Sequence, residues 1–404
     1  MDNASQTAYI RDLAHQVRAI ADSQENTARR KRWHDVNALR RPDRAPVLCR
    51  PVAAWNELIP EDTLRCVDVR LRGLEQEFRR ILIKNDIGDD AVVLPFYSIE
   101  AVFDMDPPNQ YGVDILRHEA LAQGGAWGYT PALRDEEDFK RLAMPTYTYN
   151  RQKTEETRDF IDELLGDALP PKIVLSPYEP MTLGGPACDL RGMTELMMDC
   201  YENPDLLHRL MAYLRDITLS MLEQKLATGL LTPSAGLDLY ASDELSPAPS
   251  ETVTYKHCFG VGNSQEFDQV SPAMWEEFLL AYQKPIYERY GLAAYGCCEN
   301  LTHKIDGVLS IPNLRVFVCS AWTDLDRVID KTGRNYTIMW RQKASDVCFS
   351  DDIGVMKTSL ENGCERLRGG FFQIVLRELQ TLNGNKDRLH VWAELAKEAA
   401  AKFC

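Results

Sequence analysis

Apolar residues in this chain fall into short runs separated by stretches with helical spacing, and that alternation sets the expected architecture. Eight runs read as strands, at 46–49, 90–97, 173–176, 236–240, 292–297, 314–319, 336–340 and 371–376. Amphipathic helices lie between the later ones. Asn203 ahead of Pro204 opens a helix whose Leu206, Leu207, Leu210, Met211, Leu214, Ile217 and Met221 share one face, and Ser271 ahead of Pro272 opens the next. Each start puts a capping side chain before a proline in the first helical turn. Further helices are expected at 71–82, 152–166 and 386–402.

Six strand-then-helix units in a row, after two earlier strands, predict an α/β fold: a closed eight-stranded parallel (β/α)8 TIM barrel over 45–404, preceded by a polar helical extension at 1–44. The stretch 100–170 has little periodicity and is rich in Gly, Pro and Tyr, so it is expected to be an insertion that lines or lids a site. A doubly wound open sheet would want a Gly-rich phosphate turn after its first strand, and none is present.

Bulk properties narrow the function classes. Apolar content of 45% with 26% charged residues suits a globular protein, and no stretch approaches the roughly 20 apolar residues of a membrane helix. The first 32 residues are polar and lack a signal-peptide core, so a cytoplasmic protein with no membrane partner is expected. A net charge of −15 argues against nucleic acid, since the densest basic run is only Arg29-Arg30-Lys31-Arg32. Eleven irregularly spaced cysteines read as free thiols plus a few ligands, and a homodimer stays open.

In a parallel barrel, chemistry gathers just past the strand C-termini. Tyr295-Gly296-Cys297-Cys298-Glu299 stands at such a point, with thiols and a carboxylate crowded where an apolar strand should open into a loop. Alternate strand residues share a face, so Cys297 and Glu299 can point at one centre with Tyr295 behind them as a catalytic candidate. Thiolate with carboxylate suits zinc, with Cys297, Cys298, Glu299 and Glu266 as candidate ligands. The plainer alternative is a pair of buried free cysteines.

Other candidates follow the same rule. Glu266, in the Gly- and Asn-rich segment 257–266, is a ligand or a base, and His257 a substrate contact, unless the loop is merely solvated. Trp340 and Lys343 flank Arg341-Gln342 at a strand end and suit an anionic or aromatic substrate. Tyr97, Tyr178 and Tyr240 are expected pocket walls or barrel packing, and Arg377-Glu378 could pair across the rim.

The stretch Ser271-Pro272-Ala273-Met274-Trp275-Glu276-Glu277-Phe278, with Pro285-Ile286-Tyr287, Tyr290 to Cys297 and Ile311-Pro312-Asn313-Leu314-Arg315, resembles the second half of the uroporphyrinogen decarboxylase superfamily. It is more similar to the metal-dependent methyltransferase branch. That resemblance implies zinc at the barrel mouth, Cys297 as a ligand, and transfer of a methyl group between a small methylated substrate, such as a methyl ether, and a thiol or the cobalt of a separate corrinoid protein. The chain departs from the branch in two places. Tyr295 stands where the family His would be, and no Cys follows the last strand, so Cys298, Glu299, Glu266 and Glu378 are the substitutes. Pro46-Val47-Leu48-Cys49-Arg50-Pro51 also lacks the carboxylate-holding motif of the decarboxylase proper. A metal-assisted decarboxylase or lyase and a non-catalytic ligand-binding barrel are the rival readings.

Overall fold

Five of the eight expected strands, those at 46–49, 292–297, 314–319, 336–340 and 371–376, lie in one parallel sheet with a sixth, Phe259–Gly262, from the segment read as a loop, and that sheet curls without closing. The computed structural model describes residues 2–118, 128–178, 181–234, 239–350 and 352–403. In chain order its strands are β1 (Val47–Pro51), β2 (Tyr97–Glu100), β3 (Phe103–Asp106), β4 (Leu116–His118), β5 (Gly128–Thr130), β6 (Thr146–Tyr149), β7 (Pro171–Val174), β8 (Phe259–Gly262), β9 (Leu292–Tyr295), β10 (Leu314–Cys319), β11 (Thr337–Trp340) and β12 (Phe371–Leu379). The main sheet has the order β1-β12-β11-β10-β9-β8. Its pairings are all parallel, which demands the helical crossovers that the sequence spacing foretold.

Strand residues alternate between two apolar layers. Leu48, Phe259, Ala294, Val316, Val318, Met339 and Val375 form one cluster on the concave face. Val47, Ala293, Tyr295, Phe317, Ile338, Trp340 and Ile374 belong to another, between the sheet and its helices. Burial on both faces is why these strands read as continuous apolar runs.

The closed eight-stranded barrel is not what forms. The fold is an open, six-stranded parallel half-barrel, with β1 and β8 as its edges. Helix α1 (Asn3–Ala21) leads into α2 (Gln24–Asn37), and α2 takes the backbone groups that a further strand would need. Asn26 bonds both the N–H and the C=O of Val93, at 2.9 Å each, while Trp33 Nε1 donates to Asp90 O at 2.8 Å. Segment 90–96 is therefore held by side chains and is not a strand. Immediately after it, β2 pairs with β7 in a separate two-stranded sheet, from which a single parallel bridge joins Leu175 to Leu231. Of the expected strand at 236–240, residues 236–238 lie outside the described residues, and Leu239 and Tyr240 form a turn.

The C-terminal end of α2 plugs the end of the half-barrel where the strands begin. Asn37 is fully buried and donates to Leu239 O at 3.0 Å and to Ala241 O at 2.8 Å, and its own Oδ1 accepts from Gln373 Nε2 at 2.7 Å. Thr337, the first residue of β11, donates to Val36 O at 2.7 Å. With that end sealed, the opposite end is left for chemistry. The excursion after β2 builds two antiparallel ladders, β3 with β6 and β4 with β5. No described helix is long and apolar enough to cross a membrane.

Candidate functional site

At the strand C-termini the chain makes a turn that only glycine allows. Gly296 follows β9 with φ of 115°, and a Cβ there would stand 2.8 Å from Val318 O. Past it, the Glu299 carboxylate turns inward. Its Oε2 accepts from Cys297 N at 2.9 Å, and its Oε1 from Ser264 N at 2.8 Å and Ser264 Oγ at 3.2 Å. Ser320 Oγ donates to Glu299 O at 2.7 Å, so one residue ties together the loops after β8, β9 and β10. Burial raises the Glu299 pKa despite the backbone N–H groups that favour its charged form.

The thiols stand in a cationic frame. Cys297 Sγ lies 3.6 Å from Cys298 Sγ, and Cys298 donates to Glu378 Oε1 at 3.0 Å. Arg341 Nη1 donates to Cys297 O at 2.6 Å and to Glu378 Oε1 at 3.2 Å, and lies 3.7 Å from each sulfur. Arg377 Nη1 is 4.0 Å from Cys297 Sγ. The hydrogen bond from Cys298 lowers the Cys297 pKa, and Arg341 and Arg377 add to the effect against the cost of burial. Cys298, against both Cys297 and the Glu378 carboxylate, is pushed the other way. The two thiols titrate as a pair, with Cys297 the more acidic of the two. Glu378 holds its place at φ of 59°, a left-handed conformation that costs a non-glycine residue about 1–3 kcal/mol.

A second carboxyl faces this group across the opening. Glu266 sits in the short turn after β8, against Gly184 and Gly185 at the start of the helix Gly184–Arg191. A Cβ on Gly184 would come within 2.7 Å of Glu266 Oε2, so the glycine makes room for the carboxyl. That oxygen is buried and has no hydrogen-bond partner among the described residues. Burial raises the Glu266 pKa, with the negative charges of Asp189 and Cys297 adding to it. The Tyr240 ring packs 6.0 Å from Tyr178 and 5.7 Å from Phe259, and Arg341, Arg377 and Arg50 all act electrostatically on its hydroxyl.

The structure therefore brings together Cys297, Cys298, Glu266, Tyr178 and Tyr240, with Glu299 beneath them as a staple. The other expected site residues lie elsewhere. Tyr97 begins β2, far from the strand ends, and donates to Glu77 Oε2 at 2.8 Å. His257 precedes β8 and so lies at the opposite end of the sheet, where its Nδ1 accepts from Thr254 N at 3.0 Å. Trp340 points away from the concave face, and a Cβ on Gly363 would touch its ring at 2.2 Å. Lys343 is exposed, its Nζ 5.3 Å above the Trp322 ring. Tyr295 is buried on the helix side, where its hydroxyl donates to Gln283 Oε1 at 3.0 Å and accepts from Trp275 Nε1 at 3.2 Å. Glu378 pairs with Arg341 and not with its neighbour Arg377.

Sequence reasoning did not assign the arginines to the site and took Arg377 only as a partner for Glu378. Arg50, Arg341 and Arg377 each stand two residues past a concave-face residue, namely Leu48, Met339 and Val375. The period of two along a strand would have pointed to them. Among the described residues no group of three or more His, Cys, Asp and Glu side chains could hold a metal ion. Outward from the thiols, Cys298 and Glu299 line an open cavity of about 460 Å³ with Gln265, Asp268, Asn300 and Trp322.

Comparison with known proteins bears on the scaffold. The chain is similar in structure to a methyltransferase from Methanosarcina mazei, with a TM-score of 0.51 and 12% identity over 92% of this chain and 98% of that one. At that identity the likeness shows the fold alone. No family model matches the chain, and no curated protein does.

Proposed function

We propose that this chain catalyses methyl transfer, and that the Cys297 thiolate takes the methyl group from a small methylated donor such as a methyl ether. The observation that carries the reading is the thiol held between Cys298 and two guanidinium groups at the open end of the half-barrel. A scaffold shared with a methyltransferase supports it. A sulfur lone pair forms the S–C bond as the C–O bond of the donor breaks, and the bonding electrons leave with the oxygen. Glu266, whose pKa burial raises, supplies in its protonated form the proton that neutralises the departing oxygen. A stronger nucleophile then takes the methyl group and the thiolate is restored. The resemblance implies a thiol or a partner-borne corrinoid as that acceptor.

The zinc ion that the resemblance also implies has Cys297, Cys298 and Glu378 as its nearest set of donors. They do not fit it as they stand. Arg341 Nη1 already lies 3.7 Å from both sulfurs and 3.2 Å from Glu378 Oε1, and backbone N–H groups hold both oxygens of Glu299. No step of the proposed transfer is routed through zinc.

The test is a single turnover with a panel of methyl ethers carrying an isotopically labelled methyl group, without acceptor, followed by peptide mass mapping. Label on Cys297, absent in Cys297→Ser, is the expected result. Turnover to an added thiol or corrinoid protein that Cys297→Ser leaves intact would overturn the reading.

A further inference from the structure

The three arginines at the mouth carry more positive charge than their surroundings return. Acidic residues outnumber basic ones in this chain by 15, so an arginine without a carboxylate partner stands out. Among the described residues no carboxylate lies within ion-pair distance of Arg50 or Arg377, and Glu378 alone pairs with Arg341. Arg341 is 2% exposed, and its Nε is buried without an acceptor among the described residues. Its hydrogen bonds leave through Nη1, so the Nε edge of the guanidinium plane is unused.

The Nε edge of an arginine presents two parallel donors that match a carboxylate. Arg377 and Arg50 stand at the neighbouring strand ends, since β12 lies between β11 and β1. The Tyr178 and Tyr240 rings supply a flat wall beside them. We infer that this mouth binds an aromatic carboxylate, held by the accessible guanidinium groups of Arg377 and Arg50 with Arg341 adding charge from beneath. The inference rests on the methyl-transfer reading only in naming that ligand as the substrate. The binding itself stands on the arginines.

Titration calorimetry of the full chain with benzoate, benzamide and inorganic phosphate tests it. Benzoate is expected to bind saturably, at least about tenfold more tightly than either of the others. Arg377→Gln is expected to weaken benzoate about fivefold or more and to leave benzamide unchanged. Arg50→Gln, at an exposed position, should do the same and keeps the test open if Arg377→Gln fails to fold. Equal binding of benzamide, tighter binding of phosphate, or no saturable benzoate binding would overturn the assignment. Heat of binding is read without turnover, so a failure of methyl transfer leaves this result interpretable.

Discussion

Glu266 shows how one buried carboxyl can set a pH limit. Its pKa is raised by burial, so it is protonated at pH values where an exposed carboxylate is charged. The pKa of Cys297 is shifted down. A reaction that needs Cys297 charged and Glu266 protonated loses rate as pH falls through the thiol's pKa and again as pH rises through the carboxyl's. Glu266→Gln is expected to lower turnover by about 10²–10⁴-fold and to remove the alkaline limb while keeping the acid one. A variant that retains both limbs would assign the alkaline limb to another group. The charge logic of these residues was legible in the sequence only in part. Cys297 and Cys298 follow an expected strand and could be picked by position, whereas Glu266 was picked from a segment read as a loop, whose residues 259–262 form β8. Arg341 was passed over for its neighbours Trp340 and Lys343, because motif reading takes adjacent residues together while a strand sends them to opposite faces.

Among the elements, the strand-to-loop turn at Gly296 decides whether the thiols reach the mouth. Gly296→Ala forces an L-residue to φ of 115° and drives a Cβ toward Val318 O. A loss of about 2 kcal/mol or more in unfolding free energy is expected, read as a lowered urea midpoint, together with loss of the fast-reacting thiol. An unchanged midpoint would show that the turn relaxes. The same scale explains which strands the sequence foretold. Runs such as Val316-Phe317-Val318 are buried on both faces and could scarcely be anything but interior strands. Segment 90–96 is as apolar, yet Asn26 and Trp33 take its backbone groups, and side chains so distant in the chain are invisible to local periodicity.

For the whole molecule, closure of the half-barrel's base depends on the N-terminal helices. Trp33 is fully buried in the concave-face cluster, and Asn37 binds backbone carbonyls on the far side of the opening. A chain that starts at residue 45 would leave those carbonyls and the concave floor bare. It is expected to lack a cooperative thermal transition, whereas a cooperative transition near that of the full chain would mean that the helices are dispensable. Length and strand count foretold a barrel-like α/β molecule. They gave no sign that α2 would seal the end where the strands begin, because the polar face of that helix reads as solvated until its partners are known.

The arginine-framed thiolate is what the rest depends on, and its reactivity measures it most directly. The full chain is treated with limiting iodoacetamide across a pH series, and alkylation is mapped cysteine by cysteine. Cys297 is predicted to react ahead of the other thiols, with a rate that stays on its plateau well below the ordinary thiol range, and Arg341→Gln is predicted to move that titration upward. A Cys297 that titrates like a free thiol, or that stays as inert as buried Cys319, whose pKa is pushed up to about 12, would contradict the account.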